Sequence, residues 1–186
     1  MEQRTGSKVE LIIVGLGGMG VLVAGRLLAS AALGSHKHVS WMPTYGEARR
    51  GGLSECTVIL SQDEIASPIL DVAGAILMLD SSQIEAFEER VRTGGMMIVE
   101  KAGLKEKPGR KDIKVVPVSA MEMAMGLGSL QTANLIMLGA YTELAKPLSP
   151  QLIEKEIQRR YSDGVLERNT KAFRAGLEVG RALGTI

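Results

Sequence analysis

The sequence predicts an α/β fold: a three-layer sandwich around a mixed, mostly parallel sheet, with a helical C-terminal part. Three observations carry that expectation. An apolar run over residues 9–14 passes straight into a glycine-rich turn and then into a helical pattern. Strand-like apolar runs alternate with helical or irregular segments as far as residue 118. From residue 121 onward the apolar spacing is helical throughout. A chain of 186 residues is long enough for one domain with its own core, and residues 1–186 read as a single domain.

The first strand is expected at 8–15 and its helix at 18–33, where Val21, Leu22, Ala24, Leu27, Leu28, Ala31 and Ala32 recur at helical spacing. Gly34 reads as the cap that ends this helix. A second strand covers 38–42, a loop 43–52, and a third strand 53–61. Residues 61–71 are irregular, with Pro68 blocking regular pairing. The continuous apolar run at 74–79 suits a buried central strand. No helix separates strands three and four, so their pairing is expected to be antiparallel, which makes the sheet mixed.

Ser82 and Glu85 have the spacing of a capping box, and Ile84, Phe87 and Val91 form the buried stripe of a helix ending at Gly94. Strands at 96–99 and 113–118 flank a charged, exposed excursion at 101–111. A helix begins at 121–125 and is broken at 127–129. The next, 132–144, carries Ala133, Ile136, Met137 and Ala140 on one side. Ser149 is a natural N-cap and Pro150 a natural first residue for a helix running to about 160. The last helix, 166–183, has Phe173, Gly176, Leu177 and Gly180 on one stripe, where small residues permit close packing.

Composition excludes several functions. The formal net charge of +1 gives no surplus to attract nucleic acid or a membrane surface. Aromatic residues are only 3%, too few for a base-stacking platform. No apolar run approaches the roughly 20 residues of a membrane span. The first seven residues lack the apolar stretch of a signal peptide, so the expected compartment is cytoplasmic. Cys56 is the only cysteine, and an iron–sulfur cluster takes about four thiolates. Cys56 itself reads as a small apolar strand residue, and His36 and His38 as solvated loop residues.

Gly15, Gly17 and Gly20 satisfy the G-x-G-x-x-G spacing of a Rossmann-like nucleotide fold. Glycine lets the chain turn sharply, and the amides opening the following helix point at whatever sits there. A dinucleotide site also needs an acid at the end of the second strand to hold the ribose. The second apolar segment, Val39, Ser40, Trp41 and Met42, contains none. The glycines therefore serve either an anion site, with Gly17, Gly18 and Gly20 offering amides, or tight packing of the helix on the first strand. After strand two, Tyr45, Glu47, Arg49, Arg50 and Gly51 bring an aromatic ring, an acid and two guanidiniums into a glycine-flanked loop. Such a loop suits recognition of a carboxylate or phosphate, and equally a solvated turn with an internal Glu–Arg pair.

In order along the chain stand Gly15-Leu16-Gly17-Gly18-Met19-Gly20, Trp41-Met42-Pro43-Thr44-Tyr45-Gly46, Arg50-Gly51-Gly52, Cys56-Thr57-Val58-Ile59 and Ile65-Ala66-Ser67-Pro68. Later come a helix opening Asn134-Leu135-Ile136-Met137-Leu138-Gly139-Ala140 and an ending that includes Asn169-Thr170-Lys171-Ala172-Phe173. This succession resembles the gamma subunit of 2-oxoacid:ferredoxin oxidoreductases, most closely the 2-oxoglutarate or branched-chain (ketoisovalerate) type, with the pyruvate enzymes as kin. The resemblance implies a multi-subunit oxidoreductase that decarboxylates a 2-oxoacid, passes the acyl group to coenzyme A and sends electrons to ferredoxin. It implies that thiamine diphosphate, magnesium and the iron–sulfur clusters belong to thiamine-binding and ferredoxin-like partner chains. It places this chain beside the active site, with Gly17, Gly18, Gly20, Tyr45, Arg50 and Gly51 as the matching positions toward coenzyme A. Met19 stands where the family usually has Gln, and Ala48 where its loop usually has Glu. Arg49 is added, and Glu47 falls one position early, so the family's loop glutamate is not carried over to it. A stand-alone nucleotide- or CoA-binding regulatory module is the rival from another class.

The ten methionines suit adaptable surfaces as well as a core, and the isolated chain is expected to self-associate. NAD is expected to bind the purified chain no better than background, because nothing replaces the ribose acid. Calorimetry checks this, and tight stoichiometric binding would refute it.

Overall fold

Four consecutive residues, Leu11, Ile12, Ile13 and Val14, are completely buried. Side chains of a strand alternate between faces, so their strand must be covered on both sides. The computed structural model describes residues 8–45, 52–105 and 109–184, and in it this strand, β1 (Val9–Leu16), lies inside a six-stranded sheet. The others are β2 (His38–Tyr45), β3 (Leu53–Ser61), β4 (Ala73–Met78), β5 (Val91–Glu100) and β6 (Lys114–Val118), in the order β2-β3-β1-β4-β5-β6. β1 pairs parallel with β4, and the parallel run continues through β5 and β6.

The sheet is mixed as expected, but β3 does not pair with β4. β1 lies between them, and β3 runs antiparallel to both β1 and β2. The apolar run of β1, needing cover on both faces, takes the central place. Since β1 and β2 both oppose β3, they point the same way. The glycine turn after β1 and the connection after β2 therefore leave the same edge of the sheet.

The helices are α1 (Val21–Ala32), the single turn α2 (Ile84–Phe87), α3 (Ala120–Gly126), α4 (Ala133–Ala145), α5 (Pro150–Arg160) and α6 (Asp163–Gly184). Leu11 and Ile13 share a core with α1, α4, α5 and α6. Ile12 and Val14 face a smaller one, closed by Leu70, Ile84, Phe87 and Ile113. The outer layers are thus unequal: four long helices on one side, one helical turn and irregular chain on the other.

Four local expectations are corrected. α1 begins at Val21 rather than 18, because Gly18 and Gly20 have φ of 98° and 79°, outside helical space. Gly34 is not its left-handed cap. Leu33 keeps helical angles, and Ser35 and His36 both donate backbone N–H groups to the Ala32 carbonyl at 2.9 Å. The helix expected up to Gly94 stops at Arg90, and β5 starts at Val91, which pairs with Ala73. Sheet pairing there overrides local spacing. Its N-cap is Asp80, whose carboxylate accepts from the Ser82 amide at 3.1 Å, and not Ser82. Arg90 fixes the crossover by clasping Glu55 with two hydrogen bonds of 2.8 and 2.9 Å while donating to the Leu70 and Asp71 carbonyls.

The closest helix packing is between α4 and α6. A Cβ on Gly176 would lie 2.0 Å from the Ile136 carbonyl oxygen, and one on Gly139 would lie 2.2 Å from that of Phe173. The two backbones touch, as the glycine stripe foretells. In the sheet, Cys56 is fully buried and donates to the Val21 carbonyl at 3.6 Å. Burial pushes its thiol up to about 12.

Gly176→Ala is expected to cost about 3 kcal/mol or more by overpacking, whereas Gly34→Ala, facing open space, should stay within about 1 kcal/mol of the parent; urea unfolding compares them. Cys56 should resist thiol reagents at pH 8 until the chain unfolds, read by the rate of thiol labelling with and without denaturant. The unfolded thiol ionises near 9 and the folded one near 12. The folded state therefore holds more protons between those values, and this contribution to stability is present below pH 9 and lost as pH rises toward 12.

Candidate functional site

The glycine turn is closed by short-range bonds. Met19 donates its amide to the Leu16 carbonyl at 3.1 Å, and the Leu16 amide points at the Met19 sulfur at 3.4 Å. Gly17 donates to the Gly52 carbonyl at 2.9 Å, which pins the start of β3 beside the turn. Gly17 is therefore spent on structure. Among the described residues, the amides of Gly18 and Gly20 have no acceptor. A Cβ on Gly18 would meet nothing within 4 Å, so this residue faces open space.

Gly15 and Gly20 serve packing. A Cβ on Gly15 would stand 3.0 Å from that of Leu79, and one on Gly20 only 2.3 Å from the Asn134 side-chain nitrogen. Asn134, in the first turn of α4, donates that nitrogen to the Gly20 carbonyl at 3.0 Å. The same carbonyl accepts the Ala24 amide at 3.0 Å. Asn134 is 4% exposed, and its side-chain oxygen is buried without a hydrogen-bond partner. The glycines divide the work of the turn: packing at 15 and 20, a tie to β3 at 17, an open amide at 18.

Two cavities flank the turn and share Gly18 and Gln131. One, of about 230 Å³, has a mixed wall, with Gly18, Gly20, Ser129, Asn134, Arg168 and Asn169 beside apolar residues such as Val23 and Leu135. The other, of about 220 Å³, is apolar, with Met19, Leu79, Met121, Leu130 and Met137 in its wall and one acid, Glu100. Glu100 ends β5, is 2% exposed, and accepts the amides of Ala102 and Met121 at 2.9 and 3.0 Å, one on each carboxylate oxygen. Two backbone donors offset the cost of burying this carboxylate.

Gly17, Gly18 and Gly20 all lie in this turn, with the Gly17 amide taken by Gly52. Tyr45 is the last residue of β2, while Arg50 and Gly51 lie outside the described residues. Glu100 and Arg168 escaped sequence reasoning. An acid closing an apolar strand looks like ordinary punctuation, and Arg168 is one more charge on an amphipathic helix. Only the sheet order and the return of α6 bring them to the turn. Among the described residues no three His, Cys, Asp or Glu side chains converge as a metal site.

The family model described as pyruvate ferredoxin/flavodoxin oxidoreductase matches residues 10–179. The chain belongs to this family. Ketoisovalerate oxidoreductase subunit VorA of Methanothermobacter marburgensis is 31% identical over 177 residues, 94% of this chain but 37% of that protein. The chain thus spans little more than a third of the length of that relative. 2-Oxoglutarate synthase subunit KorC of Methanocaldococcus jannaschii is 28% identical, over 98% of this chain and 99% of its own. Among solved structures, the gamma subunit of a keto/oxoacid ferredoxin oxidoreductase from Geobacter sulfurreducens superposes with a TM-score of 0.81 at 27% identity, covering 94% of this chain and 99% of that one. Within this oxidoreductase family, then, the glycine turn and its two cavities are what the chain offers at the carboxyl edge of its sheet.

Proposed function

We propose that this chain is a gamma-type subunit of a multi-subunit 2-oxoacid:ferredoxin oxidoreductase, an assembly that converts a 2-oxoacid to acyl-CoA and delivers electrons to ferredoxin. The observation that carries the reading is the carboxyl-edge site. In a chain of this family, open amides, a guanidinium and an apolar hollow converge on one glycine turn. The chain shapes the coenzyme A region and leaves the redox cofactors to its partners.

The donor set fits such a ligand. Gly18 and Gly20 amides at the start of α1, with Arg168 beside them, suit a phosphate. The methionine-walled cavity suits an uncharged, flexible portion. Arg50 and Gly51, with Tyr45, complete the proposal from the β2–β3 connection, whose far end is tied to Gly17. Cys56 suits no cluster, since its thiol is buried and held protonated. Thiamine diphosphate, magnesium and iron–sulfur clusters are assigned to thiamine-binding and ferredoxin-like subunits in a cytoplasmic complex. No helix among the described residues is long and apolar enough to cross a membrane.

The test is reconstitution. Dye reduction driven by a 2-oxoacid and coenzyme A should require this chain together with the thiamine-binding and ferredoxin-like chains, and the chain alone should be silent. Activity of the partners at full rate without it would sink the proposal. In the assembled enzyme, Arg50→Ala should raise the apparent KM for coenzyme A or the 2-oxoacid about ten- to a hundred-fold, the worth of one charge-assisted contact. Unchanged kinetic constants would reduce the loop to a structural element.

A further inference from the structure

A second concave site lies on the outer helical layer, between α1 and α5. It is a cleft of about 210 Å³ walled by Arg26, Ser30, Glu156, Arg159 and Arg160, with Leu27 also lining it. Arg26 and Ser30 stand one turn apart on α1 and so share a face. Arg159 and Arg160 close the last turn of α5. Three guanidiniums and one carboxylate leave an excess of two positive charges, more than the formal net charge of +1 of the whole chain.

That charge is poorly compensated. Arg26 has no ion pair or hydrogen bond with another described residue. Among the described residues Arg160 makes only a ring contact, its guanidinium 5.8 Å from the centre of Tyr161. Arg159 meets Glu156 at 3.4 Å, a long single contact for a side chain that is 79% exposed. Like charges gathered in a hollow repel one another, and an anion seated among them removes the repulsion. Guanidinium forks match phosphate oxygens two at a time, and the Ser30 hydroxyl adds a further donor.

We infer that the α1–α5 cleft binds a multiply charged oxyanion of the diphosphate class. Its several oxygens can occupy three forks at once, and its charge matches the excess. The site is separate from the glycine turn: Arg26 follows Gly20 by six residues, about 9 Å of helix rise. The inference goes beyond the oxidoreductase reading, and each can fail without the other.

Calorimetric titration of the full chain with inorganic pyrophosphate tests it. Saturable binding that weakens as salt rises is expected at the cleft, over and above any uptake at the glycine turn. The double variant Arg26→Gln, Arg160→Gln should bind at least about ten-fold more weakly with an unchanged thermal melt, because both side chains are exposed. Arg168→Gln, in the glycine-turn cavity, should leave the affinity as it is. Absence of saturable binding, or equal affinity in the double variant, would overturn the inference. So would an equal loss in Arg168→Gln, which would put the ion at the glycine turn.

Discussion

Burial of β1 on both faces is the constraint on which the rest depends. A strand with four fully buried residues in succession has to be central, and a central strand decides the positions of its neighbours. β3 closes one side, β4 the other, and helices cover one face. The glycine turn leaves the end of this strand, so its location follows from hydrophobic burial alone. The chemistry of the site is set on the best-supported point of the molecule.

From there a few polar bonds convert position into shape. The Gly17–Gly52 bond brings the β2–β3 connection to the turn, and Asn134 joins α4 to the first carbonyl of α1. Glu100, held by two amides, fixes the chain leaving β5 against the start of α3. All of these bonds except the local one from Ala102 to Glu100 link segments far apart in sequence. Together they make the two cavities properties of the assembled fold rather than of any one loop.

Much of this was legible in the sequence, and the part that was not has physical causes. Alternation and apolar spacing located all six strands and the long helices, because burial writes a period into the chain. The Phe173, Gly176, Leu177 and Gly180 stripe announced the tight contact with α4. The turn after Asp80 carries the pattern of a longer helix because Ile84, Phe87 and Val91 are buried at helical spacing, while Val91 already pairs in the sheet. Chain order does not give β3 its neighbour, because adjacency in a sheet depends on which strand needs cover on both faces. Glu100 and Arg168 could not be picked out, since the backbone amides that hold the one and the cavity that the other lines leave no side-chain pattern in the sequence.

The strand order also governs the sequence of events during synthesis. β1 is made early, yet its partners are Leu53–Ser61 and Ala73–Met78. The β2–β3 hairpin can zip locally, whereas the central strand must wait for long loops to close. Until Met78 has been made, the central strand has at most one of its two neighbours to pair with.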